Sequence, residues 1–564
     1  MKNSVILLCA LLLTACSGEP ASTPHAGAVA SAHPLATQAG MDMLNNGGNA
    51  FDAAVATAAV LAVVEPYSAG MGGGGFWLLH HAQTQKNIFV DAREKAPLKA
   101  HKDMYLDAQG NIIPRLSIDG PMAAGIPGQA AAFVHLAKKY GALPLSTSLQ
   151  AAINIARQGF PVYEHYRKLV NYRLKTLQQY PAAAAVFLNA QHENPPLGYV
   201  IKQPDLANTL SAIARQGHAG FYAGEVANTL VNSVQKAGGI WQLDDLKKYK
   251  VIERAAIETQ HAGFKLISAP PPSSGGIALA QMFNMLDSQA KDYPWQTLAE
   301  AEQIHLLSEV MRRAYFDRAH YLGDPDFVEV PVARLLNKDY NQKTISNLNM
   351  NKATASASLG SQVQIFEGFH TTHLSVLDRD GNRVSATLSI NLPFGSGFLA
   401  AGTGVLLNNE MDDFSAKPGT PNAYGLVGNA ANAIAAEKRP LSSMSPTFIE
   451  SAEQVAILGT PGGSRIITMV LLGTLEHLQD KPVSSWVSRP RFHHQYLPDV
   501  IQHEPNAFSA ATQQALLAKG HRLKDVGRQY GNMQAILLHK KTGAVSAASD
   551  PRAAGEAQVQ APTQ

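Results

Sequence analysis

Two alternating runs, THLSVLD (372–378) and RVSATLSIN (383–391), stand either side of RDGN (379–382). An Asp-Gly pair between such runs is the strongest short signal for an antiparallel β-hairpin. The residues before it, NKATASASLGSQVQIFEGFH (351–370), are small and polar, with no helical or strand period until their end, and read as an exposed linker. Thr371 therefore sits where a linker runs straight into a hairpin. Closing the turn over 379–382 pairs Asp378 with Arg383, so position 371 falls opposite 390, with Ser389 and Asn391 flanking that point on the returning strand.

A threonine hydroxyl at such a junction is a poor nucleophile without a base, and neither a Ser-His-Asp order nor a GxSxG elbow is evident in the chain. An α-amine would serve. Were the chain cut before Thr371, the new amino group, with a free pKa of about 7.7–8.0, could deprotonate its own side chain near neutral pH. The plainer reading of Thr-Thr-His is strand propensity, and His373 reads as a strand residue rather than a base.

Three downstream clusters bear on the choice. NNEMDDF (408–414) carries carboxylates able to hold an ammonium group, although acidic residues after a strand also cap and turn. RPLSSMSP (439–446) offers paired hydroxyls for a carboxylate, or an ordinary Ser-Ser turn. GTPGGSR (459–465) exposes consecutive glycine N–H groups, as an oxyanion hole requires and as a tight turn also does.

The rest of the chain looks like one large globular body. Its 564 residues are 46% hydrophobic and 16% charged, with a net charge of +3, and no lysine or arginine run tracks a phosphate backbone, which argues against nucleic acid. Residues 34–64 read as two helices broken at Asn45–Gly48, the second alanine-rich and too short to span a bilayer. GMGGGGFWLLHH (70–81) contains GxGxxG at Gly70, Gly72 and Gly75, but it precedes a strand instead of following one, so close backbone packing explains it better than a dinucleotide site. Helical patterns fill about 128–240, and strands mixed with helices follow, pointing to α+β layers rather than strict βαβ winding.

The N-terminus reads as an address. Lys2, an apolar stretch from Val5 to Leu13 and Leu13-Thr14-Ala15-Cys16 form a bacterial secretory signal (1–15) ending in a lipobox, with Cys16 the lipidated residue and 16–26 a tether. A bacterial envelope location in the periplasm is expected, membrane contact being through the lipid only; Ser17 after Cys16 favours the outer membrane. The two cysteines are Cys9, which leaves with the signal, and Cys16, so the mature chain has no internal disulfide and no Cys-zinc site.

Taken together, VASAHPLATQAGMDMLNNGGNAFDAAVA, SAGMGGGGF, DAREKAP, APPPSSGG, TTHLSVLDRDGN, LLNNEMDDFSAKPGTPNAYGLVG, KRPLSSMSPT, LGTPGGSRIIT, RFHHQYLPD and ASDPR resemble the γ-glutamyltranspeptidase (glutathione hydrolase) family of N-terminal-nucleophile enzymes, from about residue 27 to 555. The resemblance implies a four-layer αββα sandwich made as one precursor that cuts itself between His370 and Thr371. A large subunit (27–370) and a small one (371–564) would then share one domain as a heterodimer. Thr371 would be nucleophile of both the cut and the reaction, supported by Ser389 and Asn391. Arg93, Ser442 and Ser443 would hold the α-carboxylate of a γ-glutamyl substrate, and Asn391, Glu410 and Asp413 its α-ammonium. Gly462 and Gly463 would stabilise the oxyanion, and Tyr424 would close a lid over 417–428. The implied donors are glutathione and other γ-glutamyl amides, the implied acceptors water, an amino acid or a dipeptide, with no metal or cofactor. Leu392-Pro393 departs from the polar or aromatic residues many relatives carry there and leaves acceptor preference open.

Two rival readings carry their own discriminators. A glutaryl or β-lactam side-chain acylase of the same fold would leave Glu410 and Asp413 without an ammonium to hold, which is costly in a buried site. A non-catalytic envelope lipoprotein would be found as an unprocessed chain.

Overall fold

The computed structural model describes residues 23–359, 371–417, 419–426, 428 and 430–561. The expected signal peptide (1–15), the lipidation site Cys16 and the residue before the expected cut, His370, lie outside the described residues. Strand β1 (Ala28–Ser31) leads into helices α1 (Pro34–Asn45) and α2 (Ala50–Val64), interrupted at the Asn-Gly stretch as expected. Asn49 Oδ1 accepts from the Phe51 and Asp52 N–H groups at 2.9 and 3.1 Å, and the Asp52 carboxylate accepts from the Asn49 N–H at 3.0 Å. That reciprocal cap starts α2, and because α2 is apolar on every side it is buried along its whole length.

Strands β2 (Gly74–His81) and β3 (Lys86–Ala92) follow, then a helical stretch that includes α3 (Glu164–Gln179). Next come β4 (Ile252–Arg254), β5 (Ile257–His261), β6 (Phe264–Ser268), α4 (Gly275–Gln289) and α5 (Glu300–Tyr321). The hairpin strands are β7 (Thr372–Leu377) and β8 (Arg383–Ser389), and β9 (Thr447–Glu450), β10 (Gln454–Gly459), α6 (Ile466–Leu478), β11 (Gln534–His539), β12 (Val545–Ser549) and β13 (Glu556–Val559) complete the frame.

The strands form two main sheets, ordered β13-β1-β7-β8-β2-β3-β4 and β12-β11-β10-β9-β6-β5. The sheets pack face to face, with β7 and β8 against β10 and with β1 and β7 against β11. Helices α1 and α2 cover the outer face of the first sheet, and α4 and α6 that of the second, which gives the four αββα layers the resemblance implied. Strand β2 shows why both faces are dry: Trp77 and Leu79 join the core under α2, while Phe76 and Leu78 join the core between the sheets. No described helix is long and apolar enough to cross a membrane.

The hairpin forms, but its register corrects the expectation by one residue. Leu377 lies opposite Arg383 and Thr372 opposite Leu388, because the turn closes between Asp378 and Asn382, whose N–H and carbonyl meet at 3.0 Å. Three residues therefore make the loop, not four, and Gly381 at φ 86° supplies the left-handed residue such a loop uses. The Asp378 side chain selects this closure. Its Oδ1 accepts from the N–H groups of Asp380 and Asn382 at 3.0 and 2.8 Å, and its Oδ2 accepts from the Ala50 N–H at 2.9 Å, tying the turn to the start of α2. Continued by one step, the register sets Ser389, not Ile390, opposite Thr371.

Candidate active site

Thr371 stands at the front of β7, 6% exposed. The loop from β10 to α6 brings Gly462 to it, and the Gly462 N–H donates to Thr371 Oγ1 at 3.3 Å. Gly463, at φ 57°, lies so close to the Tyr424 ring that a Cβ there would meet it at 2.3 Å, so this turn excludes a side chain on both counts. The glycine run before β2 has a comparable cause: a Cβ on Gly73 would sit 2.1 Å from the Ser389 carbonyl, which supports the close-packing reading of that motif.

One pocket is bordered by Thr371, Ser389, Asn391, Arg93, Asp413, Tyr424, Ser442, Ser443 and Gly463. Gly462 joins them through Thr371, and Glu410 through Arg93. The structure thus brings together every candidate site residue except Cys16, which lies outside the described residues. Asn391 holds its shape locally: its φ is 72°, its N–H donates to Ser389 Oγ at 2.8 Å, and its Nδ2 donates to the Asn409 carbonyl at 2.8 Å. Tyr424 closes over it, the hydroxyl donating to the Asn391 carbonyl at 3.0 Å. Asn422, from the same expected lid, donates to Asp413 Oδ1 at 3.2 Å.

Charge in the pocket is concentrated on one guanidinium. Arg93 Nη1 lies 2.6 Å from Glu410 Oε2, its Nη2 lies 2.5 Å from Asp413 Oδ2, and Glu94 is 3.6 Å away. Burial opposes the charge on Arg93, but Glu410, Asp413 and Glu94 outweigh it and hold the pKa above the usual range. Burial likewise pushes Glu410 up, to about 7, against the pull of Arg93, with Asp413 pushing further and Ser389 pulling back. Glu94 is driven well up, first by burial and then by Glu410, and among the described residues neither of its carboxylate oxygens has a hydrogen-bond partner.

Two residues here were not read from the sequence. Glu94 directly follows Arg93. Arg318 comes from α5, where Nε donates to Ser274 Oγ at 2.9 Å and Nη2 to Ser443 Oγ at 3.2 Å. It is buried and forms no ion pair with a carboxylate among the described residues, and burial lowers its pKa. The signal was an arginine at apolar-face spacing after Met311, Ala314 and Tyr315. His373, by contrast, is the strand residue expected. It is fully buried between the sheets with Nδ1 2.9 Å from Thr387 Oγ1, and burial lowers its pKa to about 3.

The sequence model of the gamma-glutamyltranspeptidase family matches residues 36–560. The chain belongs to that family. Among gamma-glutamyltranspeptidase relatives, the glutathione hydrolase proenzyme of Escherichia coli strain K12 is 42% identical over 533 residues, covering 93% of this chain and 90% of that one. The glutathione hydrolase proenzyme of Bacillus subtilis strain 168 is 34% identical over 555 residues, covering 94% and 91%. In three dimensions the chain is similar to a cephalosporin acylase from Bacillus halodurans, with a TM-score of 0.83 at 27% identity over 98% of this chain and 99% of that one. It is also similar to the gamma-glutamyltranspeptidase of Helicobacter pylori, with a TM-score of 0.56 at 40% identity over 58% and 93%. The layered fold of this gamma-glutamyltranspeptidase family member is accordingly that of the N-terminal-nucleophile hydrolases.

Proposed function

We propose that the chain cuts itself before Thr371 and then uses that residue to take the γ-glutamyl group from glutathione and related amides, passing it to water or to an amino acid or short peptide. γ-Glutamyl transferase and hydrolase activity is the activity of the family. The observation that carries the reading is the Gly462 N–H at 3.3 Å from Thr371 Oγ1, beside a pocket charged for a zwitterion.

Thr371 Oγ1 attacks the γ-carbonyl carbon, its proton passing to the freed α-amine of the same residue and on to the departing amine. The Gly462 and Gly463 N–H groups face the developing oxyanion. Ser389, set opposite Thr371 by the corrected register, and Asn391 keep the hydroxyl and the substrate in line. Charge is conserved on binding. The substrate's α-carboxylate takes Arg93 with Ser442 and Ser443, its α-ammonium takes Glu410, Asp413 and Asn391, and the internal pairs of Arg93 with Glu410 and Asp413 are exchanged for matched pairs with the substrate. Tyr424 closes the site.

The likeness to a cephalosporin acylase favours a second reading, in which the acyl group lacks an α-ammonium. Such a substrate would break the Arg93 pairing and return nothing to Glu410 and Asp413, and leaving buried charges unpaired is strongly unfavourable. Rates on γ-glutamyl and glutaryl anilides, measured side by side, separate the two; faster turnover of the glutaryl compound would favour the acylase.

The subunits proposed are 27–370 and 371–564, exported to the periplasm by the 1–15 signal and anchored through lipid on Cys16. Purified protein, its large subunit still carrying the 16–26 tether, should run as fragments of about 38 and about 21 kDa, the smaller beginning at Thr371 by N-terminal sequencing. Thr371→Ala should stay one chain, and its cleavage at the same bond would show that another group performs the cut.

A further inference from the structure

Strand β7 outruns one of its neighbours at the end that carries Thr371. Its pairing with β1 stops at Ser31 opposite Leu374, because β1 ends there and the chain turns into α1. Its pairing with β8 continues to Thr372 opposite Leu388. The front of β7 is therefore laddered on one side only. What holds it besides β8 is a side chain: Thr372 points with Leu374 and Val376 toward α2, and its hydroxyl donates at 2.7 Å to Oε2 of Glu65, the residue that ends that helix.

Glu65 is itself fixed on every side. Its N–H donates to the Leu61 carbonyl at 2.8 Å, and its carbonyl accepts from the N–H groups of Ser68 and Ala69 at 2.9 and 3.1 Å. Its Oε1 accepts from the Tyr67 hydroxyl at 2.9 Å, and that hydroxyl also meets the hydroxyl of Tyr163, just before α3. The Tyr67 ring packs edge-on against Tyr166 and Phe394. Stability alone does not call for an acid here. Burial pushes the Glu65 pKa up to about 7, and the C-terminal end of α2 opposes a negative charge. A buried carboxyl held at that cost, bonded to the residue next to the nucleophile, has the marks of a functional group.

The proposed cut changes what Thr371 has to hold it. In the precursor it is covalently tied on both sides; in the processed enzyme it is a chain end, tied through Thr372 alone. We infer that Glu65 is a positioning residue for the nucleophile: by fixing the Thr372 hydroxyl it fixes the peptide between the two threonines, and so aims Oγ1 and the α-amine of Thr371 at the γ-carbonyl carbon. The inference rests on the γ-glutamyl reading above. It adds no step to the chemistry. A nucleophile held in line reacts far faster than one free to swing, and a displacement of about 1 Å can cost about a hundredfold in rate.

The test follows the first turnover of a γ-glutamyl nitroanilide by rapid mixing, per mole of cut chain. Two quantities are read: the maximal rate of nitroaniline release, and the anilide concentration that gives half of it. Thr372→Val keeps the outline of the side chain and removes its hydroxyl. It should lower the maximal rate roughly ten- to hundredfold and leave the half-saturating concentration within about twofold, since the Arg93 pocket is untouched. Thr372→Ser should recover most of the rate, which a packing role for the methyl group would not give. Glu65→Leu, which offers no acceptor, should lower the rate by a similar factor, and combined with Thr372→Val should add little, because both act through one bond. Should Thr372→Val fail to fold or to cut itself, Glu65→Leu decides. An unchanged maximal rate in either cut variant, or equal losses in Thr372→Val and Thr372→Ser, overturns the inference and leaves the functional reading standing. An unaltered enzyme that never releases nitroaniline overturns both.

Discussion

Arg93 faces three carboxylates, those of Glu94 and Glu410 buried and that of Asp413 partly exposed, and satisfies two of them directly, so its replacement acts twice. Arg93→Gln should raise KM for a γ-glutamyl anilide roughly tenfold to a hundredfold, the equivalent of the ~1.5–3 kcal/mol of a charge-assisted hydrogen bond. It should also lower Tm, since Glu410 and Asp413 lose their partner. An unchanged KM would remove Arg93 from the site. Arg318→Gln should raise KM with a smaller effect on kcat, because Arg318 reaches the pocket by holding Ser443 rather than by touching the reacting atoms. His373→Gln should keep most of its kcat/KM and its pH profile, since a buried ring with a pKa near 3 is not the base; a ~10²–10⁴-fold loss would make it one. Legibility at this scale followed distance along the chain. Residues in DAREKAP, NNEMDDF and GTPGGSR could be read because each short stretch stays together in space. Arg318 could not, because its partners Ser274 and Ser443 lie 44 and 125 residues away.

The hairpin illustrates what an element's sequence does and does not specify. Asp-Gly announces the turn, and alternation announces the strands, but loop length depends on which residue closes the ladder. Here the Asp378 carboxylate, accepting from one N–H within the loop, one at its closing residue Asn382 and one at the start of α2, decides for three residues. Asp378→Ala should therefore cost about 1–2 kcal/mol, as loss of a helix cap does, read as a lower urea midpoint with an unchanged slope. A Cβ at Gly381 would clash with nothing, its nearest neighbour being Ala82 Cβ at an ordinary contact distance of 3.7 Å, so Gly381→Ala tests backbone conformation alone. It too should lower the midpoint, by about 1 kcal/mol, because φ 86° is unfavourable for alanine. A midpoint equal to that of the unaltered protein in both variants would show that the turn does not hold the register. The helical blocks were legible from periodicity, whereas the stacking of two sheets was not, since strands buried on both faces carry no polar side to orient them.

Across the whole molecule, burial pushes His33, His477 and His494 down to about 4, and His373 and His521 to about 3. Unfolded, each returns to about 6.5. Between those values the unfolded chain binds protons that the folded chain refuses, so this contribution is complete above pH 6.5 and is lost as pH falls toward 4. Buried carboxyl groups act oppositely. Glu65 and Glu410, raised to about 7, Asp412, raised to about 6, and Glu94, raised well above its ordinary value, give stability below the unfolded value that is lost as pH rises. They are outnumbered by the lowered histidines, which also include His80 and His165 at about 4. Tm should be lower at pH 5 than at pH 7, and an equal or higher value at pH 5 would contradict the balance. The order of the first sheet carries a different consequence. With the proposed cut, β13, β7 and β8 belong to the small chain while β1, β2, β3 and β4 belong to the large, so the ladder passes from one chain to the other three times. The precursor folds as a first-order process. The mature enzyme, once melted, returns only by a second-order encounter of two chains, each presenting open strand edges that also pair wrongly. Recovery after denaturation should then fall with dilution for processed enzyme and be independent of it for Thr371→Ala, so that maturation exchanges the capacity to refold for a native state that is reached only once.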